Sequence, residues 1–588
     1  MYKVVFLPEG KSAETEAGVS VLAAAEKAGV LLDASCNGKG SCGKCKVKLG
    51  GREALACQTK VDRDMEITVP GVHGGSGRKK KMLHLPEDFQ KDIRITKTAC
   101  KVRRAKMDYQ RSDCDRIRDA LALPSLRFRP GLLATLHQAL EAEKGNVTLT
   151  VKCSADGAEL IAIEKGDTSE SCYAAAFDIG TTTVVGMLWS LTTGELRDVE
   201  ARTNYQSLYG ADVISRIQYS MEGEGHLQTL QSKLMQCCND ILSELCERSG
   251  IRQEHIYDAV MVGNTTMSHL AFGVTPVSLA RTPFAPVFRE AQEKRAGELG
   301  LSIYPLANVH LLPNIAGHVG SDIVGMMLAA GMDRLRGAHI AIDIGTNGEV
   351  VAVKDGRLLC CSTAAGPAFE GATIRHGMRA APGAIEGITM DENGVYCKTI
   401  DDAAAIGICG SGLIDAVSEL LRVGIVERSG RMLSRAQALA AGVPALLAGR
   451  ITGEGTDACF VLEAGAEPIV LTQGDIREVQ LAKGAILAGI QTLMEALSID
   501  TEELDSILLA GAFGNYINIK SALAIGLLPP LAEEKVVAIG NAAGVGACMA
   551  LLSDAERRRA EQLALTTVHL ELAANPSFQE HYAEAMWF

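Results

Sequence analysis

The chain has few aromatic residues, no long run of uncharged apolar residues and no excess of positive charge. Aromatic residues make only 4% of the 588 residues, which argues against a surface that stacks on sugars or nucleobases. The net charge of −13 argues against a nucleic-acid partner. The nearest approach to a membrane span, residues 479–497, contains Lys483, Gln491 and Glu495, so it predicts a buried helix and no membrane partner. The N-terminus shows no signal-peptide pattern, and we expect a cytoplasmic protein.

Cysteine, in contrast, is abundant. The 17 cysteines are odd in number and mostly scattered, which fits reduced thiols in an intracellular, anaerobic setting better than a secreted disulfide scaffold. The length of 588 residues is too great for one core, and a usual size of ~150 residues per domain predicts about four units. The 60 glycines favour a fold with many tight turns.

Four of the cysteines lie close together within a first predicted unit, residues 1–70. Cys36, Cys42, Cys45 and Cys57 have the spacing C-x5-C-x2-C-x11-C, and glycines separate the first three. Four thiolates suit an iron–sulfur cluster or zinc. Three cysteines in one glycine-rich loop with a fourth standing apart resemble the ferredoxin pattern of a 2Fe–2S cluster. Zinc, another cluster type and purely structural thiols remain as alternatives.

The next two stretches carry no recognisable chemistry. Residues 71–90 begin with GVHGGSG and are predicted to be a flexible linker. Residues 91–170 are predicted to form a small α+β unit, with helices at 113–121 and 130–142 and a hairpin near the end. Docking or dimerisation is the natural role for such a unit, which leaves a homodimer open as the oligomeric state.

The remaining residues, 172–588, contain the same short motif twice. Residues 178–183 read DIGTTT and residues 343–349 read DIGTNGE, 165 positions apart, each between two apolar runs. Each motif predicts a strand, a tight turn and a returning strand. Glycine lets backbone N–H groups approach a phosphate closely, and an aspartate there can hold a magnesium-bound water. The repeat therefore predicts an internal duplication around one nucleotide, although two ordinary hairpins are the simpler alternative.

Further glycine-rich segments follow in an order that resembles the superfamily of acetate and sugar kinases, heat-shock chaperones and actin. Residues 178–183 and 343–349 match its two phosphate motifs, and residues 262–267 (VGNTTM) lie where its first connecting motif belongs. Residues 509–514 (LAGAFG) match the adenosine motif. Residues 539–547 (IGNAAGVGA) match the second connecting motif, whose small residues let two hinge helices pack closely. The resemblance implies two related α/β lobes, about 172–338 and 339–588, with nucleotide between them.

The combination of units resembles the reductive activators of corrinoid enzymes over essentially the whole chain. The phrases PNIAGHVGSD, AIDIGTNGE and AGPAFEGA also look like that family's own. The implied fold class is a multidomain α/β and α+β protein. It would have an N-terminal β-grasp ferredoxin-like domain, a small α+β middle domain and a C-terminal two-lobed actin-like ATPase domain.

The resemblance also implies a function and a set of site residues. The protein would use ATP to pass an electron from a 2Fe–2S cluster to the cob(II) corrinoid protein of a methyltransferase system, with a low-potential donor that the sequence does not identify. Asp178 and Asp343 would orient Mg²⁺ through water. The four cysteines named above would hold the cluster. The expected nucleotide-binding residues are Gly180, Thr181, Thr182, Gly345, Thr346, Asn347, Gly366, Gly511 and Gly514.

The need for ATP follows from the energy of the electron. Plant-type 2Fe–2S centres lie near about −400 mV, and a gap of ~200 mV to cobalt(I) would cost roughly 5 kcal/mol for one electron. Three other functions fit the same units: an activator of a 2-hydroxyacyl-CoA dehydratase, a small-molecule kinase with a fused ferredoxin, and an ATP-switched carrier that does not hydrolyse ATP.

Overall fold

The structure is a computed structural model that describes residues 1–8, 10–30, 32, 40, 45–69, 83–154, 157–514 and 516–588. Cys36, Cys42 and most of the predicted linker, residues 71–90, lie outside the described residues. The chain divides into two compact units. The first holds Met1–Ile67, the described residues from 83 to Ala329, and Ala543–Leu565, and the second holds Ala330–Ala542 and Thr566–Phe588.

A five-stranded sheet with one helix forms the N-terminal part of the first unit. The strand order is β2-β1-β5-β3-β4. The Ser20 side chain accepts a hydrogen bond from the Ala23 N–H at 3.2 Å and caps the helix, as serine does at a helix start. The elements are β1 Tyr2–Leu7, β2 Lys11–Thr15, α1 Val21–Lys27, β3 Lys46–Leu49, β4 Arg52–Leu55 and β5 Met65–Thr68.

A four-stranded sheet of order β6-β8-β9-β7 with two helices follows. The helix predicted at 113–121 is confirmed, whereas the one predicted at 130–142 begins at Leu133. The reason is Gly131, whose φ of +49° lies outside the right-handed helical region. The elements are β6 Ile95–Lys101, α2 Asp113–Leu121, β7 Arg127–Phe128, α3 Leu133–Ala142, β8 Asn146–Ser154 and β9 Gly157–Lys165.

The rest of the first unit is built on a six-stranded sheet of order β12-β11-β10-β13-β15-β14. The first DIGT motif forms the turn between β10 and β11, as predicted. The elements are β10 Tyr173–Ile179, β11 Thr183–Ser190, β12 Leu196–Thr203, α4 Val213–Met221, α5 His226–Ser249, β13 Ile256–Gly263, α6 Thr265–Ala271, β14 Gln292–Arg295, α7 Ala296–Leu299, β15 Asn308–Leu311 and α8 Ser321–Ala330.

The second unit contains a six-stranded sheet of order β26-β25-β16-β17-β18-β27 and two three-stranded sheets. Its strands are β16 Ala338–Ile344, β17 Gly348–Lys354, β18 Arg357–Thr363, β19 Ala384–Asp391, β20 Gly394–Thr399, β21 Gly407–Ile408, β22 Ile451–Thr452, β23 Cys459–Glu463, β24 Ile469–Thr472, β25 Leu504–Ala510, β26 Val536–Gly540 and β27 Val568–His569. The helices from here to the C-terminus are α9 Gly410–Arg422, α10 Arg435–Ala440, α11 Ala445–Ala448, α12 Gln473–Leu497, α13 Gly511–Gly514, α14 Ile519–Ala524, α15 Ala542–Leu552, α16 Asp554–Thr566 and α17 Pro576–Ala585.

The two six-stranded sheets share a pairing pattern, which confirms the predicted duplication. In each, the strand that enters a DIGT turn pairs antiparallel with the returning strand, which pairs antiparallel with the next. On its other side the entering strand is followed by two parallel neighbours, β13 and β15 in the first sheet and β25 and β26 in the second. One strand-turn-strand motif therefore occupies the same place in two copies of one topology.

The helix α12 contains the stretch that came nearest to a membrane span. Most of that stretch is buried in the second unit, and the Lys483 side chain is inaccessible to solvent. Among the described residues, no helix combines the length and the apolar character needed to cross a bilayer.

Helix α15 makes a backbone contact with α8 in the first unit. A β-carbon added at Gly546 would lie 2.0 Å from the Gly325 carbonyl oxygen, and one added at Gly325 would lie 2.8 Å from the Ala543 oxygen. The small residues of the second connecting motif therefore serve the close helix packing that was predicted. Their partner is α8, which begins at Ser321. Residues Ala543–Leu565 belong to the first compact unit, and the predicted lobe bounds of about 172–338 and 339–588 stay a prediction.

We expect Gly546→Ala to lower the free energy of unfolding by about 1–3 kcal/mol, because the new methyl group meets a helix backbone that has no room to yield. Gly474→Ala is the control: it also lies in a helix, but the nearest atom to the added carbon is the Thr472 hydroxyl oxygen at 3.5 Å, and alanine favours a helix by up to about 1 kcal/mol. Urea unfolding curves measure both. Equal stability of Gly546→Ala and the wild type would contradict the close contact.

The far end of α15 is fixed by residues from other parts of the first unit. The Asp92 N–H donates to the Leu552 carbonyl oxygen at 2.8 Å. In α16, Arg557 donates to the Asp258 carboxylate of β13 at 2.7 Å, and both side chains are buried. Burial by itself would raise the pKa of Asp258, but the cations of Arg557 and Lys152 hold it below its usual value.

Candidate functional site

The first DIGT turn is closed by its own backbone. The Gly180 N–H donates to the Thr183 carbonyl oxygen at 3.0 Å. A β-carbon at Gly180 would lie 2.6 Å from that same oxygen, so only glycine fits there without a shift. Asp178 is the last residue but one of β10, beside Gly180, Thr181 and the half-buried Thr182. The predicted acid, glycine and hydroxyl groups are therefore neighbours at one end of the sheet.

Three side chains that sequence reasoning did not single out hold this turn. The Asn204 amide nitrogen donates to the Gly180 carbonyl oxygen at 3.0 Å, and Arg216 donates to the Thr181 carbonyl oxygen at 2.6 Å. The Asn264 amide nitrogen donates to the Thr181 hydroxyl at 2.9 Å. Asn264 lies in the segment 262–267, so its nearness to the first turn agrees with that segment's expected place. Arg216 lies on the buried face of α4, and an arginine at such a position in the sequence could have indicated that it has a structural partner.

The second DIGT turn is held differently. The Gly345 N–H donates to the Asn347 carbonyl oxygen at 2.9 Å. The Thr346 hydroxyl donates to the Glu370 carboxylate at 2.5 Å. Glu370 ends the short turn Pro367–Glu370, which Gly366 introduces with a φ of +75°. This hydrogen bond connects the Gly366 loop to the second turn.

Asp343 of the second turn lies against the start of the predicted adenosine motif. In the pairing of β16 with β25, Asp343 is opposite Ala510. A β-carbon at the next residue, Gly511, would lie 2.5 Å from the Asp343 carboxylate, and the φ of Gly511 is +82°. Gly514 closes the same short helix, with the Leu509 carbonyl oxygen 3.1 Å from where its β-carbon would be. The structure thus brings together two motifs that are more than 160 residues apart in sequence.

The environment of Asp343 disfavours its charged form. The side chain is half-buried, and burial raises the pKa of Asp343 to about 6. A carboxyl group with this pKa ionises near neutral pH, and a cation nearby would stabilise its charged form. Asp178 and Asp343 belong to the first and second unit respectively, and their joint action on one nucleotide stays a prediction.

Two of the four predicted cluster ligands are among the described residues: Cys45 directly precedes β3, and Cys57 follows β4. Both cysteines are buried, with 1% and 8% of the residue exposed. The Cys57 N–H donates to the Cys45 sulfur at 3.4 Å. A backbone N–H directed at a cysteine sulfur is the type of contact that tunes an iron–sulfur cluster, so these two residues fit the predicted 2Fe–2S centre. Cys36 and Cys42 lie outside the described residues, and elsewhere in the described chain no group of three or more His, Cys, Asp or Glu side chains could hold a metal.

Four family models match successive parts of the chain. They are a 2Fe-2S iron-sulfur cluster binding domain at residues 5–62, the RACo linker region at 85–170, the RACo middle region at 173–335, and the C-terminal domain of RACo, the ASKHA domain, at 338–588. These matches confirm the predicted fold class, a ferredoxin-like domain joined to an actin-like ATPase domain. They also support a 2Fe–2S cluster and ATP binding at the coarse level of the domain.

Similar proteins extend over the same length. The chain is 34% identical over 567 residues to the corrinoid activation enzyme RamQ of Eubacterium limosum, which covers 94% of this chain and 93% of that protein. It is 28% identical over 324 residues to the [Co(II) methylated amine-specific corrinoid protein] reductase of Methanosarcina barkeri, covering 50% and 54% of the two chains. A solved structure of a reductive activator for corrinoid, iron-sulfur protein has a TM-score of 0.75 and 32% identity, covering 100% of this chain and 98% of that one.

Proposed function

Because this chain belongs to the RACo family of reductive activators of corrinoid proteins, we propose that it uses ATP to drive one electron from a 2Fe–2S cluster to a cob(II) corrinoid protein. The observation that carries the proposal is the full-length match to a corrinoid activation enzyme, 34% identical over 94% of the chain. In this chain a cysteine-bearing ferredoxin-like domain is joined to a duplicated ATPase fold. Neither part alone would supply both an electron and the energy to move it.

In this proposal Cys36, Cys42, Cys45 and Cys57 hold the cluster. A 2Fe–2S cluster supplies one-electron transfer when bound. Buried positions for Cys45 and Cys57 exclude water from two of the sulfur ligands. The Cys57 N–H stabilises negative charge on the Cys45 sulfur, since a hydrogen bond to an ionised group is stronger than one to a neutral group.

The two DIGT turns hold the nucleotide. Gly180, Thr181 and Thr182 in the first turn would present backbone and hydroxyl groups to phosphate, and Asp178 would orient Mg²⁺ through water. Their counterparts in the second turn are Gly345, Thr346, Asn347 and Asp343. Gly366, Gly511 and Gly514 border the rest of the nucleotide. Gly511 suits this place because a side chain there would collide with the Asp343 carboxylate, 2.5 Å from where the β-carbon would lie.

ATP can drive the reaction only by changing how the protein interacts with its partner. A nucleotide state that binds one cobalt oxidation state more tightly shifts the cobalt potential by the same free energy, because coupling between two binding events is reciprocal. The partner is the corrinoid protein of a methyltransferase system, and a separate low-potential donor reloads the cluster. We place the protein in the cytoplasm, because the odd number and scattered positions of its 17 cysteines suit a reducing compartment. The middle unit, residues 91–170, is where we place a homodimer contact.

The test is anaerobic. Purified protein, a reductant and a cob(II) corrinoid protein are followed by visible spectroscopy with Mg-ATP, with a non-hydrolysable ATP analogue and without nucleotide. We expect the cobalt(I) band to grow only when Mg-ATP is present. Reduction at the same rate without nucleotide would refute the ATP-driven mechanism. An intact 2Fe–2S spectrum with ATP hydrolysis but no cobalt reduction, across several corrinoid proteins, would assign the protein to another redox-coupled ATPase.

A further inference from the structure

Three successive carbonyl groups of the first DIGT turn, those of Gly180, Thr181 and Thr182, accept hydrogen bonds from two residues, Asn204 and Arg216. The Gly180 carbonyl oxygen accepts from the Asn204 side chain at 3.0 Å, and the Thr182 carbonyl oxygen accepts from the Asn204 backbone N–H at 2.9 Å. Between them, the Thr181 carbonyl oxygen accepts from Arg216 at 2.6 Å. Three successive peptide groups are therefore fixed by two residues.

These two residues belong to the segment 204–216, and we call its four buried residues the turn clamp: Asn204, Gln206, Gly210 and Arg216. Gln206 accepts from both Asn204 and Arg216 at 3.3 Å. Arg216 also donates to the Gly210 carbonyl oxygen at 2.9 Å, and a β-carbon at Gly210 would lie 2.6 Å from the Arg216 backbone nitrogen. Asn204, Gln206 and Arg216 are each 0% exposed. The clamp is thus a compact internal structure and does not reach the surface where a ligand would bind.

The turn clamp also determines the direction of N–H groups in the turn. In a planar trans peptide the C=O and the following N–H point in opposite directions. Fixing the Gly180 and Thr181 carbonyl groups toward the clamp directs the Thr181 and Thr182 N–H groups away from it. Successive N–H groups presented to one side form a concave site for an anion. The second DIGT turn is built otherwise, through the Thr346 hydroxyl and Glu370.

We infer that Arg216 and Asn204 are positioning residues for phosphate binding: they fix the peptide groups of Gly180–Thr182 so that the N–H groups of the turn meet the nucleotide phosphates. The Arg216 guanidinium, which bonds the Thr181 carbonyl oxygen, also adds a positive potential at the turn that favours the negatively charged phosphates. The two residues do not touch the nucleotide. They act through the backbone of the turn.

The decisive measurement compares ligands with and without phosphate. Isothermal titration gives the Kd of Mg-ATP and of adenosine for the full-length wild type and for Arg216→Met. We expect the Mg-ATP Kd to rise at least about tenfold, the loss of one charge-assisted hydrogen bond, while the adenosine Kd changes less than about twofold. A merely structural role would weaken both ligands in the same proportion. The control is Arg202→Met. It removes an arginine of β12 that donates to Glu244 and Tyr205, neither of which belongs to the first DIGT turn.

Amide hydrogen exchange locates the effect. In the wild type, Mg-ATP should slow exchange at residues 180–183 and 343–349. In Arg216→Met we expect the first protection to be lost and the second to remain, which also shows that the variant is folded. If Arg216→Met does not fold, Arg216→Lys and Asn204→Asp replace it, with an expected three- to tenfold rise in the Mg-ATP Kd. Unchanged Mg-ATP affinity in these variants would overturn the inference.

The inference rests on the proposed function in one respect, that the first turn binds nucleotide phosphate. The two fail in different ways. Wild-type protein that binds no Mg-ATP would overturn both. Wild-type protein that binds Mg-ATP, together with variants that bind it equally well and keep protection at residues 180–183, would overturn the role of the turn clamp alone.

Discussion

Replacing Cys45 by alanine is expected to abolish the 2Fe–2S absorption spectrum and, with it, ATP-driven reduction of cob(II) corrinoid protein. Cys45 is 1% exposed and its sulfur already accepts the Cys57 N–H. In the proposed function Cys45 is one of four thiolate ligands, and alanine removes it at a buried position where water has no access to substitute for it. We expect cobalt reduction to fall to the rate without enzyme, whereas the Mg-ATP Kd stays within about twofold of the wild-type value, because the cluster ligands and the DIGT turns are separate parts of the chain.

The matched control is Cys100→Ala. Cys100 is a half-buried free thiol of β6 in the middle unit, outside the predicted ligand set, and burial raises its pKa, which favours the protonated thiol. This variant should keep both the spectrum and the activity. Iron and sulfide analysis, the visible spectrum and the cobalt assay are made on the same preparations. A Cys45→Ala protein with an unchanged 2Fe–2S spectrum would show that the ligand set is wrong.

The second large effect is expected at Asp343, where function and stability oppose each other. Asp343→Asn keeps the size of the side chain but removes the charge that orients Mg²⁺ in the proposed function, and we expect ATP hydrolysis to fall about 10²- to 10³-fold. The same substitution should stabilise the nucleotide-free protein at neutral pH. The reason is that the carboxylate is ionised there although burial disfavours its charge, raising the pKa of Asp343 to about 6 from an ordinary 3.8.

The sign of the pH dependence follows from proton binding. Between pH 3.8 and about 6 the folded protein binds more protons at Asp343 than the unfolded chain does, so the free energy of unfolding falls as the pH rises through this window. Above about pH 6 the full cost remains, about 2–3 kcal/mol for a shift of this size. The amide that replaces the carboxyl group in the variant does not titrate. We therefore expect the variant to exceed the wild type by about 2 kcal/mol at about pH 8 and to match it near pH 4.

Asp355→Asn is the control for this comparison. Asp355 is exposed and lies in the turn between β17 and β18 of the same unit, with a φ of +52° that asparagine adopts readily. The free energy of unfolding of Asp355→Asn should stay within about 0.5 kcal/mol of the wild-type value at about pH 4 and at about pH 8. Urea unfolding at about pH 4, 6 and 8 without nucleotide gives the curves. If Asp343→Asn and the wild type show the same pH dependence, the carboxyl of Asp343 is not desolvated.

Much of the architecture was predictable because it depends on short stretches of adjacent residues. Each DIGT motif stands between two apolar runs, and both form the predicted hairpin turn. Ser20 caps the helix that it was expected to cap. The cysteine spacing identified a ferredoxin-like unit that a family model also matches. These features depend on the conformational preferences of a few adjacent residues, so a single sequence is enough to reveal them.

The support of the candidate site was not predictable in the same way. Asn204 and Arg216 reach the first turn from 24 and 35 positions along the chain, through hydrogen bonds whose partners are backbone oxygens. A backbone carbonyl has the same chemistry at every residue, so the sequence carries no mark of which one an arginine will bond. Even the start of α3 moved by three residues, because Gly131 adopts a positive φ.

By itself, the sequence determined the kinds of units in this protein, their order, and the residues that touch cluster and nucleotide in the proposed function. Only the tertiary structure decided which distant residues stand behind them: Gly511 against Asp343, Gly546 against Gly325, and Arg216 behind Thr181. The physical reason is that a motif encodes its own turn, whereas the contact between two motifs is decided by how all the intervening elements pack.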